Sequence, residues 1–489
     1  MKFKFDFRLL LIIPVLFLLW DFTHSFIQYD RAVLDGDVAE SVVPTPYMEQ
    51  TMEDPLGIKT VINKDLHHNP NRFFSHWIFQ KIYRITPLAL QSFMDPIDSV
   101  YATGGITKLS MHILLIILIY IAVTGRINFL TKEFIIIACI LTPLFQANGF
   151  VRTMGIIDPS IPYCFFYAMP SIFLILYFLP MILEFYHGRI VRLNVVMILI
   201  WSVLAIVICF SGPLNPGIVL IISMMAVVQN LWKNWHFLGK GVWWKRLILS
   251  IKKIPKKYYI YLLPISLISL YSLYVGTFNT AGADPGFTTW VLYQKLPEGL
   301  VKQFCNIPWL FLTVPLIFNF IIIKTRFKDN PNSKKLFTAL KWVAVFSVIF
   351  ILLLPLGGYR SYRPYVLRYD TIMPVTLAVF FLFAGTTIFL LKEAVKWKKI
   401  YFTSVAFVFL VLFTIADLST KKHNQCEKES LAMIAQSEED IVALPNDCWV
   451  LAWMPLAKPE ESYYFGIMLQ MWRVTDKPKL YYNSPSSEP

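Results

Sequence analysis

The chain has 489 residues, of which 56% are hydrophobic and 16% charged. Soluble domains average roughly 45–50% apolar and about 25% charged, so this composition excludes a soluble enzyme and a disordered chain. The net charge of +14 would suggest a polyanionic partner only if it lay on one surface.

Taken in chain order, the first apolar run is Arg8 to Phe22, flanked by Lys2, Lys4 and Arg8. A signal peptide has similar flanks, but no small-residue cleavage site follows, so it reads as an uncleaved helix. Ten further runs approach the ~20 apolar residues a spanning helix needs: residues 109–124, 134–146, 163–186, 194–210, 217–232, 258–276, 309–323, 336–356, 371–391 and 400–417. The segment 134–146 is the weakest, being short with Pro143 near its end. With the N-terminus inside, the short inner loops collect roughly +20 and the outer segments roughly −6, as the positive-inside bias requires. Eight cations and no acid lie between Lys233 and Lys257. The charge therefore reports orientation, and no nucleic acid is expected as a partner. The predicted fold is an all-α polytopic membrane protein of about eleven transmembrane helices, N-in and C-out. Residues 1–417 form the membrane part, with a long outer loop over 23–108, and 418–489 form an outer tail or cap. Chemistry is expected at the outer face, because the inner loops are too short to fold into a domain.

Four candidate regions follow in the loops. Asp30, Asp35, Asp37 and Glu40 crowd the start of the first outer loop, with Gly36 permitting a tight turn. Clustered carboxylates suit a general base or a divalent cation held by Asp35 and Asp37; a solvated acidic loop with a helix cap is the bland alternative. From Arg72 to Phe93 the apolar residues recur at helical spacing, predicting an interfacial amphipathic helix ended or kinked near Pro87. His76 either reaches a reaction centre or simply belongs to the polar face of that helix. Between Gly357 and Asp370, Arg360, Arg363 and Arg368 interleave with Tyr359, Tyr362, Tyr365 and Tyr369. Arginine's planar fork suits phosphate, so this outer loop reads as a headgroup site; generic lipid anchoring, or a local Arg368–Asp370 salt bridge, are the alternatives. Cys426 and Cys448, 22 positions apart, either pair in an oxidising compartment or remain free thiols.

Together, Asp35-Gly36-Asp37-Val38-Ala39-Glu40, the amphipathic Arg72–Phe93 stretch and the Arg360/Arg363/Arg368 loop resemble the GT-C superfamily of integral-membrane glycosyltransferases. The resemblance implies transfer of a sugar from a polyprenyl-phosphate carrier to a glycan, lipid or protein acceptor, by direct inverting displacement. It implies that Asp37 or Asp35 is the general base and that Glu40 and His76 orient the acceptor or a metal. It further implies that Arg360, Arg363, Arg368, Tyr369 and Arg72 bind the carrier phosphate. No cofactor, or a Mg or Mn ion, would be needed, and the site would face the outside of a bacterial cytoplasmic membrane. The rivals are a polysaccharide polymerase or O-antigen-ligase-like enzyme, and a non-enzymatic lipid-linked-sugar flippase or transporter. A transporter should carry polar residues deep within its helices, and the sequence offers few.

Overall fold

The computed structural model describes residues 12–43, 45–145, 148–190, 194–237, 242–280, 287–358, 363, 365–393, 396–417, 424–445 and 447–484. The chain is mostly helical. Among the described residues eight helices are long and apolar enough to cross a membrane: Ile12–Asp30, Pro96–Thr124, Ile161–His187, Leu214–Trp235, Lys256–Gly276, Ile307–Arg326, Pro331–Gly357 and Met373–Glu393. Val195–Cys209 and Phe402–Asp417 are shorter apolar helices. The weak segment is helical over Lys132–Leu141 and then tightens into a 3-10 turn at Pro143, as a proline lacking its N–H dictates.

Polar contacts gather these segments at two places in the bundle. One gathers the loop after Asp30, the start of the Pro96 helix, Asn148 with Asp417, and the C-terminal cap. The other is stitched by cations meeting acids: Lys392 and Arg126 to Glu133, and Lys257 to Glu184. The Pro96–Thr124 and Met373–Glu393 helices are the most enclosed, while the first helix is largely peripheral. Gly105 lets the first helix approach the Pro96 helix, since a Cβ there would lie 2.9 Å from the Phe26 ring.

Two boundaries differ from the sequence reading. The first helix continues past Phe22 to Asp30, and the second begins at Pro96, capped by Asp95, rather than near Leu109. Thr23–Asp30 and Pro96–Lys108 are therefore helix, not loop. The cause is lateral packing: Asp21, Ser25, Gln28 and Tyr29 are buried against neighbouring helices, so polarity no longer marks the helix end. The amphipathic helix forms over Phe73–Leu90 with Pro87 inside it. Its polar side is not in water, however. Ser75, His76 and Gln80 are buried together with Phe79 and Tyr83, because the short Asp37–Val42 helix covers them on one side and the cap on another.

The cap combines the Gln425–Gln436 and Tyr463–Met471 helices with a two-stranded parallel sheet, Ile441–Leu444 against Leu480–Asn483. Cys426 and Cys448 are bonded, with Cα atoms 6.0 Å apart. Buried Trp472 donates its indole N–H to the Tyr83 carbonyl at 2.8 Å, docking the cap onto the Phe73–Leu90 helix.

Candidate functional site

The site is built where the chain leaves the first helix. After Asp30 it crosses six residues and enters the Asp37–Val42 helix. Asp37 sits in that helix's first turn, where the unpaired N–H groups favour a negative charge. Gly36 has an ordinary right-handed backbone, φ −61°, so the expected tight turn is not its role. A Cβ at Gly36 would stand 2.7 Å from the Trp453 ring; the glycine makes room for a tryptophan from the cap. Trp453 in turn donates its indole N–H to Asp37 Oδ1 at 3.3 Å.

Asp35 is 5% exposed, and neither carboxylate oxygen has a hydrogen-bond partner at normal geometry. Burial pushes its carboxyl up to about 8; the nearby Ser160 hydroxyl opposes this, the charges of Asp37 and Asp158 add to it, and Lys108 again opposes it. Asp158, also buried, accepts a bond from the Tyr369 hydroxyl at 2.5 Å and from the Ser160 N–H at 2.8 Å. Burial raises its carboxyl too, against those two hydrogen bonds. Lys108 is fully buried and donates to the Pro159 carbonyl, with its charge near both Asp158 and Asp35.

Opposite lies the arginine loop. Arg368 is ion-paired to buried Asp370 at 2.9 Å, so the local salt bridge that sequence left as an alternative is present. Arg363 donates to the Tyr163 hydroxyl and stacks 5.2 Å over that ring. Burial lowers its pKa, as does Arg368, while Asp370, Asp37 and Tyr369 raise it. Arg363 is thus near enough to Asp37 to feel its charge, over 300 residues along the chain. Arg360 lies outside the described residues.

The predicted residues divide into two groups. Asp35, Asp37, Arg363, Arg368 and Tyr369 come together with Asp158 and Lys108. His76 and Arg72 gather elsewhere, around Phe166, with ring and guanidinium 4.9 and 4.7 Å from its centroid. His76 meets the Asp37–Val42 helix through Ser41, its Nδ1 lying 3.1 Å from the Ser41 hydroxyl. Burial, with Arg72 adding, lowers its pKa to about 3, so it is neutral near pH 7. Glu40 is exposed. Among the described residues no three His, Cys, Asp or Glu side chains form a group that could hold a metal, and Asp35 with Asp37 alone is a thin donor set.

Sequence reasoning reads the loop through Asp158 as polar enough to line a cavity but assigns it no role, and it misses Lys108, Trp453 and Glu427. Glu427 is 1% exposed and accepts three hydrogen bonds: from Leu34 N at 3.0 Å, Tyr101 OH at 2.8 Å and Leu451 N at 3.0 Å. It fixes the backbone one residue before Asp35. A second polar chain lies between helices, where Thr142 donates to Asp21 at 2.5 Å and contacts His112, which contacts Tyr29. His112 is in the middle of the 29-residue Pro96–Thr124 helix. No protein-family model matches the chain, and no curated protein is similar to it by sequence.

Proposed function

We propose that the chain is an integral-membrane glycosyltransferase of the GT-C kind, acting on a polyprenyl-phosphate sugar at the outer face, with its N-terminus inside. The observation that carries this reading is a cluster in which Asp35, buried without a hydrogen-bond partner at normal geometry, lies near Asp37 and Asp158, with Arg363 near Asp37 and Asp158 bonded to Tyr369 beside Arg368. In the proposed reaction ionised Asp35 takes the proton of an acceptor hydroxyl, whose oxygen attacks the anomeric carbon. The C1–O bond to the carrier phosphate breaks and the phosphate leaves with the electron pair, its charge met by Arg363 and Arg368. Asp37 raises the proton affinity of Asp35 through their like charges, and Tyr369 orders Asp158 beside it. Because Asp35 is largely protonated below pH 8, the rate should rise about tenfold per pH unit there and level off above.

The test is lipid mass spectrometry of the purified protein, followed by transfer assays with a polyprenyl-phosphate sugar. Bound polyprenyl-phosphate sugar, with transfer abolished in Asp35→Asn, is the expected result. An active preparation without such a lipid, or full transfer by Asp35→Asn, sinks the reading.

The buried Asp21–Thr142–His112–Tyr29 chain favours one rival, a lipid-linked-sugar transporter, since polar chains inside helices mark transport paths. Loss of lipid movement in His112→Ala liposomes, with no transfer in any assay, would select it.

A further inference from the structure

A cavity of about 650 Å³ runs between the helices, from Ser171, Ile218 and Pro374 to Glu184, Lys233 and Tyr258, a volume that takes up a drug-sized group such as part of one lipid. Ile119, Leu174, Phe178, Ile222, Val343 and Phe381 contribute to its apolar walls. Its charged and amide groups gather at one end: Gln229, Asn230, Lys233 and Glu184, with Tyr258 beside them. Glu184 is already neutralised by Lys257 at 2.5 Å. Lys233 has no ion pair among the described residues.

The depth of Lys233 is fixed by its neighbours. The next residue, Asn234, donates from its side chain to the Ser250 carbonyl at 2.9 Å, and Arg246 donates to the Trp235 carbonyl at 2.8 Å. Both bonds tie this end of the Leu214–Phe237 helix to the Trp243–Lys252 helix. That second helix exposes Trp243, Trp244, Ile248 and Leu249 and carries Lys245, Arg246 and Lys252, the composition of a helix lying in a headgroup layer. Lys233 therefore stands at headgroup level beside a segment, 233–257, with eight cations and no acid.

We infer that this cavity is a site for one anionic phospholipid of the cytoplasmic leaflet. The phosphate sits at Lys233 with the amides of Asn230 and Gln229 and the Tyr258 hydroxyl, and an acyl chain follows the apolar walls. Charge complementarity carries the assignment: among the described residues lining the polar end, Lys233 is a positive charge with no ion pair, and the surrounding segment attracts an anionic surface. The inference rests on the orientation argued from loop charge, not on the transferase reading.

The experiment is native mass spectrometry of the delipidated full-length protein titrated with phosphatidylglycerol or with phosphatidylcholine of the same chains. The expected result is one tightly retained phosphatidylglycerol, favoured about fivefold over phosphatidylcholine. Lys233→Ala should erase that preference, and Ala226→Phe, which fills the cavity, should weaken both lipids. Lys233 is exposed, so its loss should leave the fold intact. Equal retention of the two lipids by the wild type, or an unchanged preference in Lys233→Ala, overturns the site. So does a preference that is lost in Arg368→Ala instead, since the cavity would then house the tail of a lipid held from the other end. Thiol labelling of Lys233→Cys in sealed, oriented vesicles tests the leaflet separately, and labelling from the outer side overturns that assignment.

Discussion

Two carboxylates at the cap end are buried almost equally, Asp35 at 5% and Glu427 at 1% exposure, yet their surroundings are opposite. Glu427 accepts hydrogen bonds from two backbone N–H groups and a tyrosine hydroxyl. Asp35 accepts none at normal geometry. Burial raises both, Glu427 to about 7 and Asp35 to about 8; the three bonds hold Glu427 lower. A saturated buried acid fixes structure, whereas an unsatisfied one in a group of charges is the kind that takes up substrate or a proton. The two are also linked, because the Leu34 N–H held by Glu427 immediately precedes Asp35.

The largest effect expected from this contrast is on activity. Asp35→Asn should lower sugar transfer by about 10²–10⁴-fold, the usual worth of a general base. The same change should leave the melting temperature level or raise it, because no hydrogen bond to Asp35 is broken. A large loss of both would mean that Asp35 is structural like Glu427, and the comparison would collapse.

Glu427→Ala should do the reverse. It strands the N–H groups of Leu34 and Leu451, each worth about 1–3 kcal/mol when left buried and unpaired. Leu451 also has a left-handed backbone, φ 53°, which an L-residue tolerates poorly without such a tether. Cleavage of the cap by protease, compared with and without reduction of Cys426–Cys448, would measure the loosening. Unchanged protection would show that the disulfide and Trp472 hold the cap alone.

Why one half of the site was legible and the other was not follows from the same contrast. Asp35, Asp37, Arg363 and Arg368 stand out because charge is scarce in an apolar chain and arginine is disfavoured on an outer loop. The eleven helical segments were legible for a related reason, since continuous apolar runs leave few other structures available in a membrane. Asp158, Lys108 and Glu427 were not legible. Each has a partner 51 to 393 residues away, and no local pattern records such distances. Gly36 was assigned the wrong cause for that reason: its neighbour is Trp453, from the cap. The helix ends at Asp30 and Pro96 were missed because buried polar residues face other helices there and mimic loop composition.

Both carboxylates should also leave a mark on stability against pH, smaller than either substitution. A carboxyl whose folded pKa is raised keeps its proton after the unfolded chain has released its own. The folded state then binds more protons, and stability falls as pH rises. The window runs from the ordinary carboxylate range to about 7 for Glu427 and about 8 for Asp35. Thermal melts between pH 5 and 9 should show declining stability up to pH 8 and a plateau above. Asp35→Asn should lower the slope throughout and flatten it between pH 7 and 8, whereas Glu427→Gln should lower it only below about pH 7. A slope that neither variant changes would assign it to other groups.

The smallest effect tests whether the cap completes the site. Gly36→Ala places a methyl 2.7 Å from the Trp453 ring, and overpacking of that order costs about 1–3 kcal/mol in a closed core. Trp453 is 48% exposed, so its ring can swing outward and the cost should fall near the lower bound. Swinging away breaks the bond to Asp37 and removes the lid over the Asp35 turn. Gly36→Ala should therefore lower transfer more than it lowers the melting temperature, and Trp453→Leu, which restores space but not the indole N–H, should recover stability without recovering full activity. Equal recovery of both would show that the tryptophan only fills space, leaving Asp35 and the arginines as the whole of the site.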